Sequence, residues 1–166
     1  MNASQIRQDF WRFGEFGQKG YGYIVEDLCT EIGQILGINN QHMVMIDAGN
    51  LGRALLQNFN FSDAGFSVDA AFDVSPAVIG TTINGVPVYS TDTMDTYVQQ
   101  HQVDVVVLTI PQDVAQKTAS YLIDLGLRFF WNFTNMELST SNPDVTFENI
   151  HFADSLLRLS YQITKH

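Results

Sequence analysis

The chain of 166 residues has a single cysteine, Cys29, and no long hydrophobic run. One cysteine excludes an intrachain disulfide, and nothing near it has the spacing of metal ligands, so a reducing cytoplasm is the expected location. The longest apolar stretch, residues 105–110, is far too short to cross a bilayer. The amino terminus also lacks the basic-then-apolar pattern of a signal peptide, so we expect no membrane role.

Basic residues are scarce: 8 Lys and Arg stand against 18 Asp and Glu, which gives a formal net charge of −10. A surface of this charge repels phosphate backbones, so we expect the chain by itself to bind DNA poorly. Apolar residues at 45% and charged residues at 16% lie within the range of soluble globular proteins. The length favours one main folded domain.

Apolar periodicity and turn residues divide the chain into alternating strands and helices. An apolar run at 42–46, a glycine-containing turn at 47–52 and a helical pattern at 53–59 give the order strand, turn, helix. The other predicted strands are 66–72, 103–109, 128–133 and 145–151, and the other predicted helices are 24–36, 112–125 and 152–164. Residues 80–88 predict a small hairpin, which is usually a surface feature. The pattern as a whole predicts an α/β fold with a Rossmann-type doubly wound parallel sheet.

The turn after the first predicted strand is a dinucleotide-binding fingerprint with one defect, and it reads Asp47-Ala48-Gly49-Asn50-Leu51-Gly52. In the intact pattern, the first glycine makes the tight turn, the second lets the backbone approach the pyrophosphate, and the third allows close packing of helix on strand. Here Asp47 occupies the place of the first glycine, whereas the other two glycines remain. The amide groups of Asn50 and Leu51 would still face a phosphate at the helix amino terminus.

Asp47 opposes the binding of a pyrophosphate if its carboxylate faces the phosphates. A charge about 4 Å from a phosphate costs roughly 1 kcal/mol in water and about 4 kcal/mol at an effective dielectric constant of 20. The loss is smaller if the side chain turns away, and the sequence leaves both orientations open.

Asp73 lies at the end of the second predicted strand, 21 residues beyond Gly52. This is the distance at which a carboxylate meets the ribose hydroxyls of the adenosine, and it would repel a 2′-phosphate, so NAD is favoured over NADP. The alternative interpretation is a strand-end aspartate that caps the turn at Ser75-Pro76.

No catalytic apparatus is visible in the sequence, so we do not expect an enzyme. None of the histidines has an acid or a nucleophile at a meaningful spacing, and they are scattered at His42, His101, His151 and His166. A strand start is predicted for the first of these, a helix end for the second and a chain terminus for the last.

Motifs that are found together in one protein family are spread along the chain, at residues 4–10, 13–23, 49–55, 71–74, 85–89, 108–111 and 132–134. They closely resemble the Rex family of redox-sensing transcriptional repressors, and residues 4–10 and 13–23 are similar to the junction between the two domains of that family. The similarity therefore spans nearly the whole chain. The resemblance implies that residues 1–20 are the remnant of a winged-helix DNA-binding domain with its linker. Within that remnant, Gln5 and Arg7 belong to the end of a recognition helix.

The resemblance also implies a repressor that binds operator DNA as a dimer in its full-length form and lets go when NADH rises. Residues 21–151 are then the Rossmann domain, and residues 152–166 are a dimerisation helix exchanged between subunits. NADH or NAD would lie on the loop 47–52 and on Asp73. The remaining ligand-binding residues that it implies are Tyr23, Thr109, Ile110, Pro111, Asn132 and Phe133.

Four residues depart from the family pattern. Asp47 replaces a glycine, Gln8 replaces a basic residue, and Asn135 stands where a proline is usual. His151 replaces an aspartate. The resemblance implies that this position pairs with a tyrosine, matched here by Tyr23, in the NADH-bound state. A histidine could still bond Tyr23 as a switch, but it titrates near neutrality. These departures indicate a divergent member whose ligand sensing is weakened or altered.

The last predicted helix has a broad apolar face. Phe152, Leu156, Leu159 and Ile163 repeat at spacings of four, three and four residues, which suits either core packing or a dimer seam. Leu157 and Tyr161 widen the face beyond what one contact with a sheet needs, and this favours a homodimer.

Three alternative functions stay open. One is a fragment of an NAD-dependent oxidoreductase, although no proton donor is placed for it. Another is a nucleotide-binding module of the coenzyme A type, which the segments 85–88 and 109–111 also resemble. The third is a dimerisation domain that has lost its ligand, and it follows from Asp47.

Overall fold

The structure is a computed structural model that describes residues 41–163. The predicted helix 24–36 and the residues Gln5, Arg7 and Tyr23 lie outside the described residues. Seven strands are present in this part of the chain: β1 Gln41–Ile46, β2 Phe66–Asp73, β3 Thr82–Ile83, β4 Val86–Ser90, β5 Val105–Leu108, β6 Phe129–Asn132 and β7 Thr146–Asn149. The helices are α1 Asn50–Asn58, α2 Met94–Gln100, α3 Gln112–Asp124 and α4 Phe152–Ile163.

All seven strands form one sheet in the order β3-β4-β2-β1-β5-β6-β7. Every neighbouring pair is parallel except β3 and β4. If the short β3 is set aside, the parallel strands follow the order 3-2-1-4-5-6 that characterises the Rossmann fold. The predicted α/β class and doubly wound parallel sheet are therefore confirmed.

The sheet is buried on both faces, which explains why its central strands are continuously apolar. Val44 and Val106 belong to a cluster that also contains residues of α2 and α3. Their strand neighbours Met43 and Val107 belong to a second cluster, which includes Leu56 of α1. Successive residues of a strand point to opposite faces, so each central strand contributes to both clusters.

The predicted hairpin forms one edge of the sheet, where Ile83 and Val88 are buried and the turn is exposed. Asn84 (φ +48°) and Gly85 (φ +84°) form its turn, and both have the positive φ that a two-residue hairpin turn of this kind requires. The prediction of a hairpin over residues 80–88 ended too early, because β4 continues to Ser90. Strand β4 also pairs in parallel with β2. No bounds were predicted for helix α2, although the helix end predicted at His101 matches the end of this helix.

Helix α4 begins at Phe152, as predicted, and its apolar side chains are exposed. Its large apolar residues include Leu156, Leu157 and Ile163, each at least 67% exposed. The helix therefore buries little of its apolar face against the other described residues, 41–151. In residues 41–163, no helix has both the length and the apolar character needed to cross a membrane.

Candidate functional site

The loop 47–52 lies at the carboxyl end of β1, between the carboxyl ends of β2 and β5. Ile46 at the end of β1 stands opposite Phe72 of β2 and Leu108 of β5 in the two parallel ladders. Asp73 and Thr109, which continue those two strands, therefore flank the loop. This is the point at which the strand order reverses, and open α/β sheets bind their ligands in the crevice there.

Asp73 holds the loop from the β2 side. Its side chain is buried at 7% exposure. One carboxylate oxygen, Oδ2, accepts the amide hydrogen of Ala48 at 2.8 Å, and Oδ1 accepts that of Ser75 at 2.7 Å. The predicted capping of the turn at Ser75 is thus present. The bond to Ala48 shows in addition that the carboxylate reaches the fingerprint loop.

Gly52 and Thr109 hold the loop from the β5 side. A Cβ at Gly52 would lie 2.2 Å from the backbone oxygen of Asp47 and 3.1 Å from Thr109 Oγ1, so no side chain fits there. The Thr109 hydroxyl is shared between two backbone oxygens, at 2.9 Å from that of Ile46 and 2.7 Å from that of Asp47. Gly52 therefore has the close-packing role of the third fingerprint glycine.

Asp47 has the backbone conformation that glycine normally supplies, with φ at +80°. Its side chain bends back over the loop, and Oδ1 accepts the amide hydrogen of Gly49 at 2.6 Å. Burial raises the pKa of the Asp47 carboxyl, the hydrogen bond from Gly49 partly offsets this, and the charge of Asp73 raises it further. The sequence left the orientation of the Asp47 carboxylate open. In the structure this carboxylate faces the loop, where it accepts from the Gly49 amide.

The remaining predicted loop residues differ in exposure. Ala48 is fully buried, whereas Gly49 and Asn50 are exposed at the beginning of α1 and Leu51 is half-buried. At the end of β5, Ile110 belongs to the core and Pro111 is exposed in front of α3.

Asn132, at the carboxyl end of β6, is a buried polar residue whose side chain is saturated with protein partners. Its Nδ2 donates to the backbone oxygen of Met136 and to Asn149 Oδ1, both at 2.7 Å. Its Oδ1 accepts from the amide and the hydroxyl of Thr134, at 3.0 and 2.7 Å. Asn132 thereby fixes the turn that follows β6, within which Asn135 has φ +56°.

Phe133 and His151 complete the predicted set within the described residues. Phe133 is buried and its ring lies 6.2 Å from that of Phe152 at the start of α4. His151 is exposed immediately before that helix. Its proposed partner, Tyr23, lies outside the described residues, so their pairing stays a prediction.

Thr134 and Asn149 were not among the predicted site residues, although both bond to Asn132. Asn149 had no clear signal in the sequence, because the predicted strand 145–151 runs past it. In the structure it ends β7 as Asn132 ends β6, and the two residues are register partners in the parallel ladder.

The other histidines of the described residues each contact another side chain. His42 Nδ1 lies 2.5 Å from Asp69 Oδ2, and Asp69 also accepts the hydroxyl of Ser67 at 2.8 Å. His101 follows α2 and stacks on Tyr97 with ring centroids 4.1 Å apart. Among residues 41–163, no three His, Cys, Asp or Glu side chains are arranged to hold a metal ion.

A cavity of about 360 Å³ lies away from this loop. It is lined chiefly by apolar residues that include the strand-start residues Phe66, Val105 and Phe129. These residues lie at the amino ends of the parallel strands, the opposite edge of the sheet from the loop 47–52. Ligands of open α/β sheets bind at the carboxyl edge, so this cavity is not the candidate site.

A sheet with this strand order, with a glycine-containing turn and a buried aspartate at its reversal point, defines a Rossmann-type nucleotide-binding domain. The family model described as "CoA binding domain" matches residues 38–136. The redox-sensing transcriptional repressor Rex of Clostridium botulinum strain Hall is 43% identical over 164 residues, which cover 98% of this chain and 78% of the relative. The chain therefore belongs to the Rex family of redox-sensing transcriptional repressors.

Solved structures of a Rex-family repressor, RSP, have the same fold. The structure of RSP with β-NAD+ and operator DNA has a TM-score of 0.74 and 39% identity, covering 99% of this chain and 76% of that one. The structure of RSP with β-NADH has a TM-score of 0.76 and 36% identity, with 99% and 77% coverage.

Proposed function

We propose that this chain is the ligand-sensing and dimerisation part of a repressor that responds to NADH and NAD+. The observation that carries the proposal is the buried carboxylate of Asp73, which is bonded to Ala48 of the fingerprint loop at the reversal point of the sheet. Its Rex-family relative RSP has been solved with both β-NAD+ and β-NADH. A ligand here would place its pyrophosphate over residues 49–51 and its adenosine ribose beside Asp73.

In this proposal the other predicted residues have separate roles. Thr109, Ile110 and Pro111 form the far wall of the crevice, whereas Asn132 shapes the loop that presents Phe133. Tyr23 and His151 form the switch that reports the bound state. The chain acts as a sensor and not as an enzyme, and operator DNA is bound by the full-length repressor.

Calorimetric titration with NADH, NAD+ and coenzyme A tests the function. We expect both dinucleotides to bind, and coenzyme A not to bind. The Asp73→Ala variant should bind NADH roughly ten- to a hundredfold more weakly, because about 1.5–3 kcal/mol is lost with a hydrogen bond to a charged group. Asp63→Ala, at an exposed acidic residue outside the site, should leave NADH affinity unchanged.

Preference for coenzyme A over both dinucleotides would replace this function with that of a coenzyme A-type module. If no nucleotide binds, the second candidate takes its place, a domain that only dimerises. The exposed apolar face of α4 favours that candidate as well, because it needs a partner whether or not a ligand binds.

A further inference from the structure

The carboxylate of Asp47 occupies the space that the second fingerprint glycine normally leaves open. Oδ1 takes the amide hydrogen of Gly49 at 2.6 Å. A Cβ added to Gly49 would lie only 2.6 Å from that same oxygen, so the carboxylate fills the side of Gly49 on which a side chain would project. A glycine is needed there so that the pyrophosphate can approach the backbone. An anion that belongs to the protein is therefore already bonded to the first amide of the segment 49–51, over which we propose that the pyrophosphate lies.

We propose that Asp47 is a built-in competitor for the pyrophosphate, so that a dinucleotide binds together with a proton taken up by the Asp47 carboxyl. The inference rests on the proposed function, since it concerns the same ligand at the same loop. It makes Asp47 a determinant of specificity against phosphate-bearing ligands, and it makes their affinity rise as the pH falls.

The surroundings of Asp47 favour the proton. The charged group that faces it from β2 is Asp73, which is itself buried. From the β5 side it meets Thr109, which does not titrate, and Arg53 of α1 is exposed. No ion pair within residues 41–163 involves Asp47. Burial and the charge of Asp73 both raise the pKa of Asp47, so its neutral form is more accessible than that of an ordinary aspartate.

The sign of the pH dependence follows from linkage. A pyrophosphate beside Asp47 would raise the pKa of its carboxyl above the value in the free protein, because two negative charges repel each other. Affinity is then constant below the pKa of the free protein. Above it, affinity falls by up to about tenfold per pH unit, until the pH exceeds the pKa of the complex.

The test is calorimetric titration with NAD+, which tolerates acid, between pH 5 and pH 8 on the parent chain, Asp47→Gly and Asp47→Asn. Glycine and asparagine both tolerate a positive φ, so neither variant strains the turn. Asparagine keeps an oxygen that can accept from Gly49 but has no charge. Asp63→Asn, an exposed carboxylate outside the loop, is the matched control.

We expect the parent to bind NAD+ more tightly at pH 5 than at pH 8, by up to about fivefold for a repulsion of about 1 kcal/mol and up to about a thousandfold for about 4 kcal/mol. Proton uptake should appear as a dependence of the heat on the buffer's ionisation enthalpy. Asp47→Gly should bind more tightly than the parent at pH 8, with little pH dependence. The affinity of Asp47→Asn should also depend little on pH, and at pH 8 it should lie between those of the parent and Asp47→Gly. The control should follow the parent. The parent and the two Asp47 variants share every other ionisable group, so the difference between them isolates Asp47.

The same pH profile in the parent and in Asp47→Gly would overturn the inference while leaving the proposed function intact. Binding by Asp47→Gly, but by the parent at no pH, would keep the site and overturn the protonation step. Absence of binding in every protein at every pH would instead overturn the proposed function, and the inference would fail with it.

Discussion

Gly52 is the residue on which the contact between α1 and the end of β1 depends. An added methyl would lie 2.2 Å from the Asp47 backbone oxygen and 3.1 Å from Met45 Sδ, so the helix would have to move. We expect Gly52→Ala to destabilise the domain by about 1–3 kcal/mol, the usual cost of overpacking. This should lower the Tm in a thermal melt followed by circular dichroism, by about 2–4 °C for each kcal/mol.

The matched control is Gln57→Ala, an exposed position of the same helix. It should leave the Tm nearly unchanged, because surface substitutions of this kind usually fall within about 0.5 kcal/mol of zero. A Gly52→Ala protein as stable as the parent would mean that α1 does not pack as closely on β1 as the structure has it.

The sequence predicts the positions of several site residues, but not the directions and partners of their side chains. The spacing of residues in the sequence was enough to locate Gly49 and Gly52 in the turn of the strand-turn-helix unit, and Asp73 at the end of the next strand. It could not give the direction of the Asp47 side chain, which depends on a φ of +80° and on a bond to Gly49 two residues further on. Nor could spacing show that Asn132 uses its whole amide within the protein, because its partners lie on another strand and a turn.

At the scale of elements, most strands were predictable because their apolar runs are bounded by turn residues. Strand β2 matches its prediction to within one residue, and α3 does so as well. Helix α2 has only seven residues, too few for a helical period to be recognised, and it includes the β-branched Thr96 and Val98. Pairing of β4 with β2 was not predictable either, since a parallel contact depends on a crossover rather than on a local turn.

Helices α2 and α3 are joined by a hydrogen bond from the Tyr121 hydroxyl to Asp95 Oδ1. This bond and the negative charges of Asp95 and Asp92 raise the pKa of Tyr121 to about 12. Because the pKa in the folded state lies above the ordinary value of about 10, the stabilisation is complete below that pH and is lost as the pH rises through about 12. We expect Asp95→Ala to return the Tyr121 titration toward the ordinary value, measured by phenolate absorbance at 295 nm.

Asp113→Asn, an exposed acidic residue in the first turn of α3, serves as the control. It should leave the absorbance titration superimposable on that of the parent. If Asp95→Ala and the parent titrate identically, the two helices are not joined through this pair in solution.

For the described residues as a whole, the sheet and the fingerprint loop find their packing partners within the chain, whereas helix α4 does not. The sheet is covered on both faces by its own helices, and the fingerprint loop is held from both sides by Asp73 and Thr109. Helix α4 is the exception, because its large apolar side chains face water. A chain with a net charge of −10 gains solubility from that charge, yet an apolar face of this breadth still needs a partner.

We therefore expect a homodimer in which α4 is the main contact. Phe152, Leu156, Leu159 and Ile163 lie within one narrow arc of the helix and are all more than half exposed. Leu156→Glu combined with Leu159→Glu should shift the mass in multi-angle light scattering from twice 18.6 kDa to 18.6 kDa, since two charges in an apolar seam are costly to desolvate. Arg158→Glu adds a carboxylate to the same helix outside this arc, and it should remain a dimer. A double variant that stays dimeric would move the main contact to another surface, and the exposed face of α4 would then need a different occupant.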